Sequence, residues 1–223
     1  MKIIITGSTG LVGKGVLLEC LDNLQVDSIL ALNRTGVDIN HDKLTEIIVD
    51  DFLDLSDIEG ELEDYDACFF CLGVSSTGMT ESSYSKITCD MTLCLARILE
   101  QTSPNLTFCF VSGVGTDTTE KGKIMWARVK GKAENALLAL SFKSIYLFRP
   151  AYINPERGTR SKTKIFNLIY AVTKPFYPLL KTIFPNQTTS NILIGKAMIA
   201  LVNNEYKSKY IYSRDINLLA NGK

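Results

Sequence analysis

The sequence predicts an α/β fold in which a doubly wound, mostly parallel β-sheet is covered by helices on both faces. Short apolar runs of strand length alternate along the chain with longer stretches whose apolar residues recur at helical spacing. The short runs are apolar throughout, which is typical of parallel strands that are buried on both faces. Right-handed crossovers between such strands place helices on both sides of the sheet.

The predicted elements follow one another over the first two thirds of the chain. Strands are predicted over Lys2–Thr6, Ser28–Leu32, Thr45–Val49, Ala67–Leu72, Thr107–Val111 and Ser144–Phe148. Helical periodicity follows the first strand and returns over two later segments, Asp90–Gln101 and Lys123–Leu140. One domain is expected to cover residues 1–223, because a chain of this length suits a single large domain.

The sequence changes character after the sixth predicted strand. Tyr152–Lys164 is polar and predicts a loop, whereas Ile165–Phe184 is rich in aromatic residues and interrupted by prolines. We interpret residues 151–190 as a small C-terminal extension, placed on the substrate side of the domain or at an interface. A helix over Asn191–Asn203 and a late strand over Lys209–Tyr212 are predicted to follow.

Composition and charge argue against several classes of function. The formal net charge is zero, so neither nucleic acid nor an anionic membrane is expected as the main ligand. No apolar run is long enough to cross a bilayer, because lysines interrupt the best candidate. The N-terminal apolar run is too short for a signal peptide, so a cytoplasmic location with reduced thiols is expected.

The cysteines predict core packing and not a metal site. Cys68 and Cys71 have CxxC spacing, but they lie in an apolar strand, where residues three apart point to opposite faces. No second pair follows at zinc-site spacing, and no cluster of His, Cys and Asp has the spacing of metal ligands. Cysteine is among the residue types most often buried, and we therefore expect no metal.

A glycine-rich loop joins the first strand to the first helix and predicts a dinucleotide site of the Rossmann type. Its spacing is Gly-x-x-Gly-x-x-Gly, and its residues are Gly7, Ser8, Thr9, Gly10, Leu11, Val12 and Gly13. The three glycines allow a tight turn, close approach to a pyrophosphate and close packing of the helix on the sheet. Amide groups at the helix N-terminus attract the phosphates. The alternative is an ordinary glycine-rich turn between a strand and a helix.

The end of the second predicted strand favours NADP(H) over NAD(H). An NAD site usually has a carboxylate there for the ribose hydroxyls, whereas this chain has Asn33 and Arg34, and a guanidinium suits a 2′-phosphate. The alternative is a solvated surface arginine. Asp51, after the third strand, is predicted to contact the adenine or to form a simple turn. The segment Cys71–Ser75, after the fourth strand, is predicted to bring backbone close to the cofactor, with Leu72 and Gly73 as contacts, because glycine permits close approach.

The chain resembles the atypical short-chain dehydrogenase/reductases over about residues 1–152. The resemblance rests on the glycine loop, on Cys71-Leu72-Gly73, on Val111-Ser112-Gly113 and on Lys130-Gly131 with Glu134, followed by Phe148-Arg149-Pro150. It is strongest for the NAD(P)H-binding subgroup related to Tat-interacting protein. The resemblance implies a nicotinamide dinucleotide cofactor and a Tyr-x-x-x-Lys pair with a serine or threonine, in which tyrosine handles the proton and lysine holds the ribose.

The residues that match this catalytic pattern depart from it at the tyrosine. The resemblance assigns the lysine to Lys130 and the hydroxyl to Ser112, with Thr116 as a substitute, but Trp126 stands where tyrosine is usual. An indole N–H can donate a hydrogen bond, but it is too weak an acid to give its proton to a substrate near neutral pH. Tyr84 is a candidate replacement for the acid. Trp126 and Tyr152 are candidate substrate contacts.

Two functions from different classes follow from these residues. The first is an NADP(H)-dependent reductase of a small carbonyl, quinone or flavin-like acceptor, because a quinone-like acceptor needs less help from a tyrosine. The second is a non-catalytic NADP(H)-binding sensor or protein-interaction module, with Ile165–Phe184 as its interaction surface. The alternatives for this segment are a cap over the substrate crevice and ordinary core packing. A peripheral membrane contact of that segment is a weaker reading. A homodimer is compatible with either function.

Overall fold

A parallel β-sheet forms the centre of the protein. The computed structural model describes residues 1–159 and 182–222, and within them the central sheet has seven strands in the order β3-β2-β1-β4-β5-β6-β9. Every neighbouring pair in this sheet is parallel. Its strands are β1 Lys2–Thr6, β2 Ser28–Asn33, β3 Leu44–Ile48, β4 Ala67–Phe70, β5 Thr107–Val111, β6 Ser144–Arg149 and β9 Tyr210–Tyr212. The predicted α/β class and parallel sheet are confirmed.

Helices alternate with these strands along the chain. The α-helices of the described ranges are α1 Leu11–Asp22, α2 Glu81–Ser85, α3 Met91–Thr102, α4 Met125–Leu138, α5 Asn191–Asn203 and α6 Ser213–Leu219. A 3-10 helix spans Ser56–Glu61, and a π-helical turn over Lys86–Asp90 joins α2 to α3. The order of strands reverses direction between β1 and β4, and an open α/β sheet binds its ligands at such a point.

Two hydrophobic cores lie on opposite faces of the sheet. Ile3, Ile5 and Phe69 belong to the core that includes α1 and α5, whereas Ile4 and Phe70 belong to the core that includes α3 and α4. Neighbouring residues of a strand point to opposite faces, which is why the apolar runs are continuous. Cys68 packs in one core and Cys71 against the other, so the prediction that they point apart is confirmed.

Helices α1 and α5 pack in direct contact through glycines. A Cβ atom at Gly15 would lie 2.3 Å from the side-chain nitrogen of Asn191, and one at Gly195 would lie 3.0 Å from Cβ of Glu19. Asn191 is fully buried; its amide donates to the carbonyl oxygen of Leu11 at 3.3 Å and accepts from the backbone N–H of Glu156 at 2.9 Å. The C-terminal helices are thereby fixed to the beginning of the first helix.

Some predicted boundaries differ from the structure. Tyr152–Asn154 forms a strand, β7, which pairs in parallel with β8 at Thr188–Ser190, so the loop predicted over Tyr152–Lys164 is wrong at its start. Three-residue strands carry too little pattern to be detected when the partner is distant in sequence. The aromatic segment Ile165–Phe184 lies outside the described residues except for its last three positions. Among the described residues, no helix has the length and apolar character needed to cross a bilayer.

Candidate active site

A cavity of about 640 Å³ lies at the carboxyl ends of β1, β2, β4 and β5. The glycine loop, the end of β2, the segment after β4 and the first turns of α4 all contribute to its walls. The predicted site residues that line it are Gly7, Thr9, Gly10, Leu11, Val12, Asn33, Arg34, Leu72, Gly73, Tyr84, Ser112, Trp126 and Lys130. The fold therefore gathers most of the predicted residues at one place.

Gly7 and Gly13 make the turn of the loop sterically feasible. Gly7 has a φ of +68°, and a Cβ atom there would lie 2.7 Å from the carbonyl oxygen of Cys71 and from backbone atoms of Leu72. A Cβ atom at Gly13 would lie 2.3 Å from the carbonyl oxygen of Gly7. The backbone N–H of Gly10 donates to that same oxygen at 2.9 Å. The loop thus packs tightly between α1 and the end of β4, with Leu11 and Val12 opening the helix toward the cavity.

Ser8 and Asn33 brace the loop from inside the protein. Ser8 is fully buried, and its backbone N–H and hydroxyl donate to Oδ1 of Asn33 at 3.1 and 2.9 Å. Nδ2 of Asn33 donates to Oε1 of Glu46 at 2.8 Å. Ser8 does not line the cavity, and its direct contact with the cofactor stays a prediction. Its buried hydrogen bonds give it a supporting place behind the loop.

Arg34 and Thr35 extend from the end of β2 into the cavity wall, and both are exposed.

Asp51 does not line the cavity; its carboxylate accepts from the backbone N–H of Leu53 at 2.9 Å. This hydrogen bond is the one expected of the simple turn, and the adenine contact of Asp51 stays a prediction. At Gly73 a Cβ atom would meet nothing within 4 Å, so the protein itself leaves room there.

Lys130 lies in the cavity wall on the second turn of α4. Its Nζ atom donates to the carbonyl oxygen of Ser112 at 2.6 Å. Burial lowers the pKa of Lys130 to about 8, and the nearby carboxylate of Glu134 opposes this shift. The ammonium and neutral forms of Lys130 therefore exchange within the physiological pH range.

The hydroxyls of Ser112 and Thr116 form a short chain. Oγ1 of Thr116 donates to the carbonyl oxygen of Gly113 at 2.8 Å, and Oγ of Ser112 lies 2.8 Å from Oγ1 of Thr116. Since a hydroxyl carries a single hydrogen, Ser112 is the donor in its contact with Thr116. Its lone pairs then remain for a group that enters the cavity.

The segment that carries Ser112 and Thr116 is seated on α4 at a glycine. A Cβ atom at Gly131 would lie 1.8 Å from the carbonyl oxygen of Asp117. The backbone N–H of Asp117 donates to the carbonyl oxygen of Ala127 at 3.1 Å. Lys130 lies on the same helix. The close contact at Gly131 therefore fixes the distance between Lys130 and the hydroxyls of Ser112 and Thr116.

The aromatic candidates occupy different places. Trp126 lines the cavity from the first turn of α4, and Tyr84 lines it from α2 with 2% of its surface exposed. Burial raises the pKa of Tyr84. Tyr152 does not line the cavity, whereas its neighbour Ile153 does. Adjacent residues of a strand point to opposite sides, and the role of Tyr152 as a substrate contact stays a prediction.

Several lining residues were not predicted. Ser76 and Thr77 come after the predicted segment that ends at Ser75 and line the cavity, as does Val111 at the end of β5. Their position directly after strands whose carboxyl ends meet at the cavity was the available signal. Cys71 also lines the cavity, and burial raises the pKa of its thiol, which keeps it protonated. No cluster of metal ligands is found among the described residues.

Comparison of the sequence with known proteins identifies distant relatives. No family model matches the chain. It is 27% identical over 162 residues to Protein FMP52, mitochondrial, of Kluyveromyces lactis, which covers 71% of this chain and 70% of that protein. It is 26% identical over 176 residues to Protein FMP52-1, mitochondrial, of Scheffersomyces stipitis, covering 78% and 76%. Both relatives are named as mitochondrial proteins, so the prediction of a cytoplasmic location is wrong.

Solved structures extend the likeness over nearly the whole chain. The thiolation-reductase di-domain of an archaeal non-ribosomal peptide synthetase has a TM-score of 0.70 at 15% identity, covering 95% of this chain and 70% of that one. WbmF of Bordetella bronchiseptica in complex with NAD+ has a TM-score of 0.68 at 13% identity, covering 99% and 76%. UDP-glucuronic acid 4-epimerase of Bacillus cereus in complex with NAD has a TM-score of 0.65 at 14% identity, covering 95% and 76%. The chain has a Rossmann fold.

Proposed function

We propose that the protein is an NADP(H)-dependent reductase of a small carbonyl, quinone or flavin-like acceptor, of the atypical short-chain dehydrogenase/reductase type. The observation that carries the proposal is that the glycine loop and the Lys130–Ser112 pair line one cavity. Structural neighbours with the same fold are described in complex with NAD. Ile153, from the described start of residues 151–190, lines this cavity, which supports a place for that start on the substrate side.

The residues of the cavity fit a dinucleotide from end to end. The loop from Gly7 to Val12 opens α1 toward the cavity and suits the pyrophosphate, because amides at a helix N-terminus attract anions. Arg34 suits the 2′-phosphate, which distinguishes NADP(H) from NAD(H). Lys130 suits the nicotinamide ribose. The bound dinucleotide would supply the hydride, and the protein need only hold the acceptor against it.

We expect the hydride acceptor to lie beside the aromatic and apolar walls of the cavity. These walls favour a planar acceptor whose anion is stable enough to take up its proton after hydride transfer. Trp126, Tyr84 and Ile153 give apolar walls, and Ser112 supplies a hydroxyl oxygen. After hydride transfer, a quinone or flavin-like acceptor carries a stabilised anion that can take its proton from water. The ammonium group of Lys130 favours such an anion by its charge. These features suit a site in which Trp126 replaces a proton-donating tyrosine.

The second candidate function is a non-catalytic NADP(H)-binding sensor or interaction module. The observation that favours it is Trp126 itself, because the usual acid is absent from its position on α4. In this function the dinucleotide would bind in the same cavity. A partner protein would recognise the dinucleotide-bound form, and no reaction would be catalysed.

Binding and turnover separate the two functions. Trp126 is the single tryptophan of the chain, so its fluorescence should change as NADPH fills the cavity. NADPH oxidation is then followed with quinones, flavins and aldehydes. Turnover with a quinone or flavin supports the reductase, whereas tight binding with no turnover across the panel supports the module. A wild-type protein that binds neither NADPH nor NADH would overturn both.

Cofactor preference has its own test. Arg34→Ala should weaken NADPH binding by about tenfold while NADH binding changes little, since a charge-assisted hydrogen bond contributes roughly 1.5–3 kcal/mol. Arg97→Ala is the matched control, because Arg97 is exposed on α3 and does not line the cavity. Equal weakening of both dinucleotides in Arg34→Ala would sink the 2′-phosphate assignment.

A further inference from the structure

We propose that Glu46, a residue of β3 that does not line the cavity, positions the turn carrying Arg34 and Thr35 and thereby sets the preference for NADPH over NADH. The inference rests on the proposed function, because it concerns the same dinucleotide site. It begins from a half-buried carboxylate in the middle of a strand, where a charged residue needs partners.

The partners of Glu46 stand on both sides of the turn that follows β2. Its Oε1 atom accepts from Nδ2 of Asn33 at 2.8 Å and from the backbone N–H of Val37 at 3.1 Å. Its Oε2 atom lies 3.2 Å from the same N–H of Val37. Arg34 and Thr35, which line the cavity, lie between these two points of attachment. One carboxylate therefore holds both ends of the turn.

The same carboxylate orients the amide that supports the glycine loop. An ionised carboxylate can only accept hydrogen bonds, so Nδ2 of Asn33 must face Glu46. Oδ1 of Asn33 then accepts from the backbone N–H of Ser8 at 3.1 Å, and Oγ of Ser8 lies 2.9 Å from Oδ1 and 2.7 Å from Nδ2, which donates to it. Glu46 thus fixes the turn directly and the glycine loop through Asn33. Hydrogen bonds within the protein thus hold both parts of the site, which reduces the ordering that binding must accomplish.

The two effects of Glu46 differ between the two dinucleotides. The glycine loop serves NADPH and NADH alike, because both contain the pyrophosphate. The position of Arg34 and Thr35 matters for the 2′-phosphate, which NADH lacks. Loss of the carboxylate's hydrogen bonds should therefore weaken NADPH more than NADH. A role in folding alone would weaken both by the same factor.

The charge of Glu46 acts in the opposite direction to its hydrogen bonds. A negative charge close to the turn disfavours a 2′-phosphate by repulsion. In Glu46→Gln the amide oxygen can still accept from both Asn33 and Val37, as Oε1 does now, while the charge is removed. Glu46→Met keeps the length of the side chain but removes these acceptors. The two variants separate position from charge.

The experiment measures dissociation constants of NADPH and NADH for the wild-type protein, Glu46→Gln, Glu46→Met and the control Thr45→Ala. Thr45 is the exposed neighbour on β3. We expect Glu46→Gln and Thr45→Ala to stay within about threefold of wild type for both dinucleotides. We expect Glu46→Met to weaken NADPH by about tenfold or more, equivalent to about 1.4 kcal/mol, and NADH by about threefold or less.

An unchanged ratio of the two constants in Glu46→Met would overturn the inference and leave the proposed function standing. A wild-type protein that binds neither dinucleotide would overturn both. Should Glu46→Met fail to fold, hydrogen exchange of the wild-type protein decides the matter. The amides of Ser8 and Val37 should exchange slowly without any dinucleotide, and exchange of Val37 at the rate of an unstructured peptide would contradict its hold by Glu46.

Discussion

The Nζ atom of Lys130 lies 2.6 Å from the carbonyl oxygen of Ser112, and this hydrogen bond joins the second turn of α4 to the end of β5. It places a titratable cation and a hydroxyl-bearing residue side by side in the cavity wall. The pKa of about 8 for Lys130 means that its charge changes over a range in which the protein can be measured.

Binding of NADPH should depend on the protonation of Lys130. Below pH 8 the ammonium form dominates and can donate to the ribose, whereas above pH 8 the group becomes neutral. We therefore expect the affinity for NADPH to fall as the pH rises from about 7 to about 9. Lys130→Met should bind more weakly at pH 7 and lose this dependence. Lys132→Met, an exposed change on the same helix, should keep the wild-type profile; a profile equally steep in Lys130→Met would refute the assignment.

The glycine loop gives a prediction about stability. Gly7→Ala places a Cβ atom against backbone of the segment after β4 in a conformation that disfavours side chains. The expected loss of unfolding free energy is roughly 2–4 kcal/mol. Gly73→Ala is the control in the same cavity, because its Cβ atom would meet nothing within 4 Å. Urea denaturation compares the two, and an equal effect would show that the predicted clash at Gly7 is absent.

Glu134 and Arg149 form a buried ion pair that connects α4 to β6. Nε of Arg149 donates to Oε1 of Glu134 at 3.0 Å, and a second bond joins the other nitrogen and oxygen. Glu134→Ala leaves the guanidinium uncompensated and should lower the unfolding free energy by about 3–5 kcal/mol. The exposed pair of Arg128 with Glu81 provides the contrast, and Glu81→Ala should have a much smaller effect in the same denaturation experiment.

Restoring the usual acid should change the range of acceptors. Trp126→Tyr places a phenol one helical turn before Lys130, and we expect aldehyde reduction to rise by about 100-fold or more, as general acid catalysis contributes that much. Quinone reduction should change little, because its anion needs no acid in the active site. Trp126→Phe is the control for the lost indole. Steady-state rates with NADPH that show equal changes for aldehyde and quinone would argue against this explanation.

The sequence was informative wherever a residue type is required by local backbone geometry. Gly7 and Gly13 could be predicted because no other residue fits their turn, and the strands could be predicted from continuous apolar runs. Glu46 escaped prediction because its partners depend on the pairing of β2 with β3, which brings it beside Ala31 and within reach of Asn33. Ile153 escaped prediction as a cavity residue because the alternation of β7 cannot be recognised until its distant partner β8 is known.

The contact of Asn191 with Leu11 spans 180 positions of the chain, and this has a consequence for synthesis. The side of α1 that packs on Asn191 and Gly195 stays uncovered until α5 has been synthesised. The nascent chain must keep that helix face from aggregating until α5 has left the ribosome. Closure of so long a loop is slow, and a chaperone that shields the first helix should therefore raise the yield of folded protein.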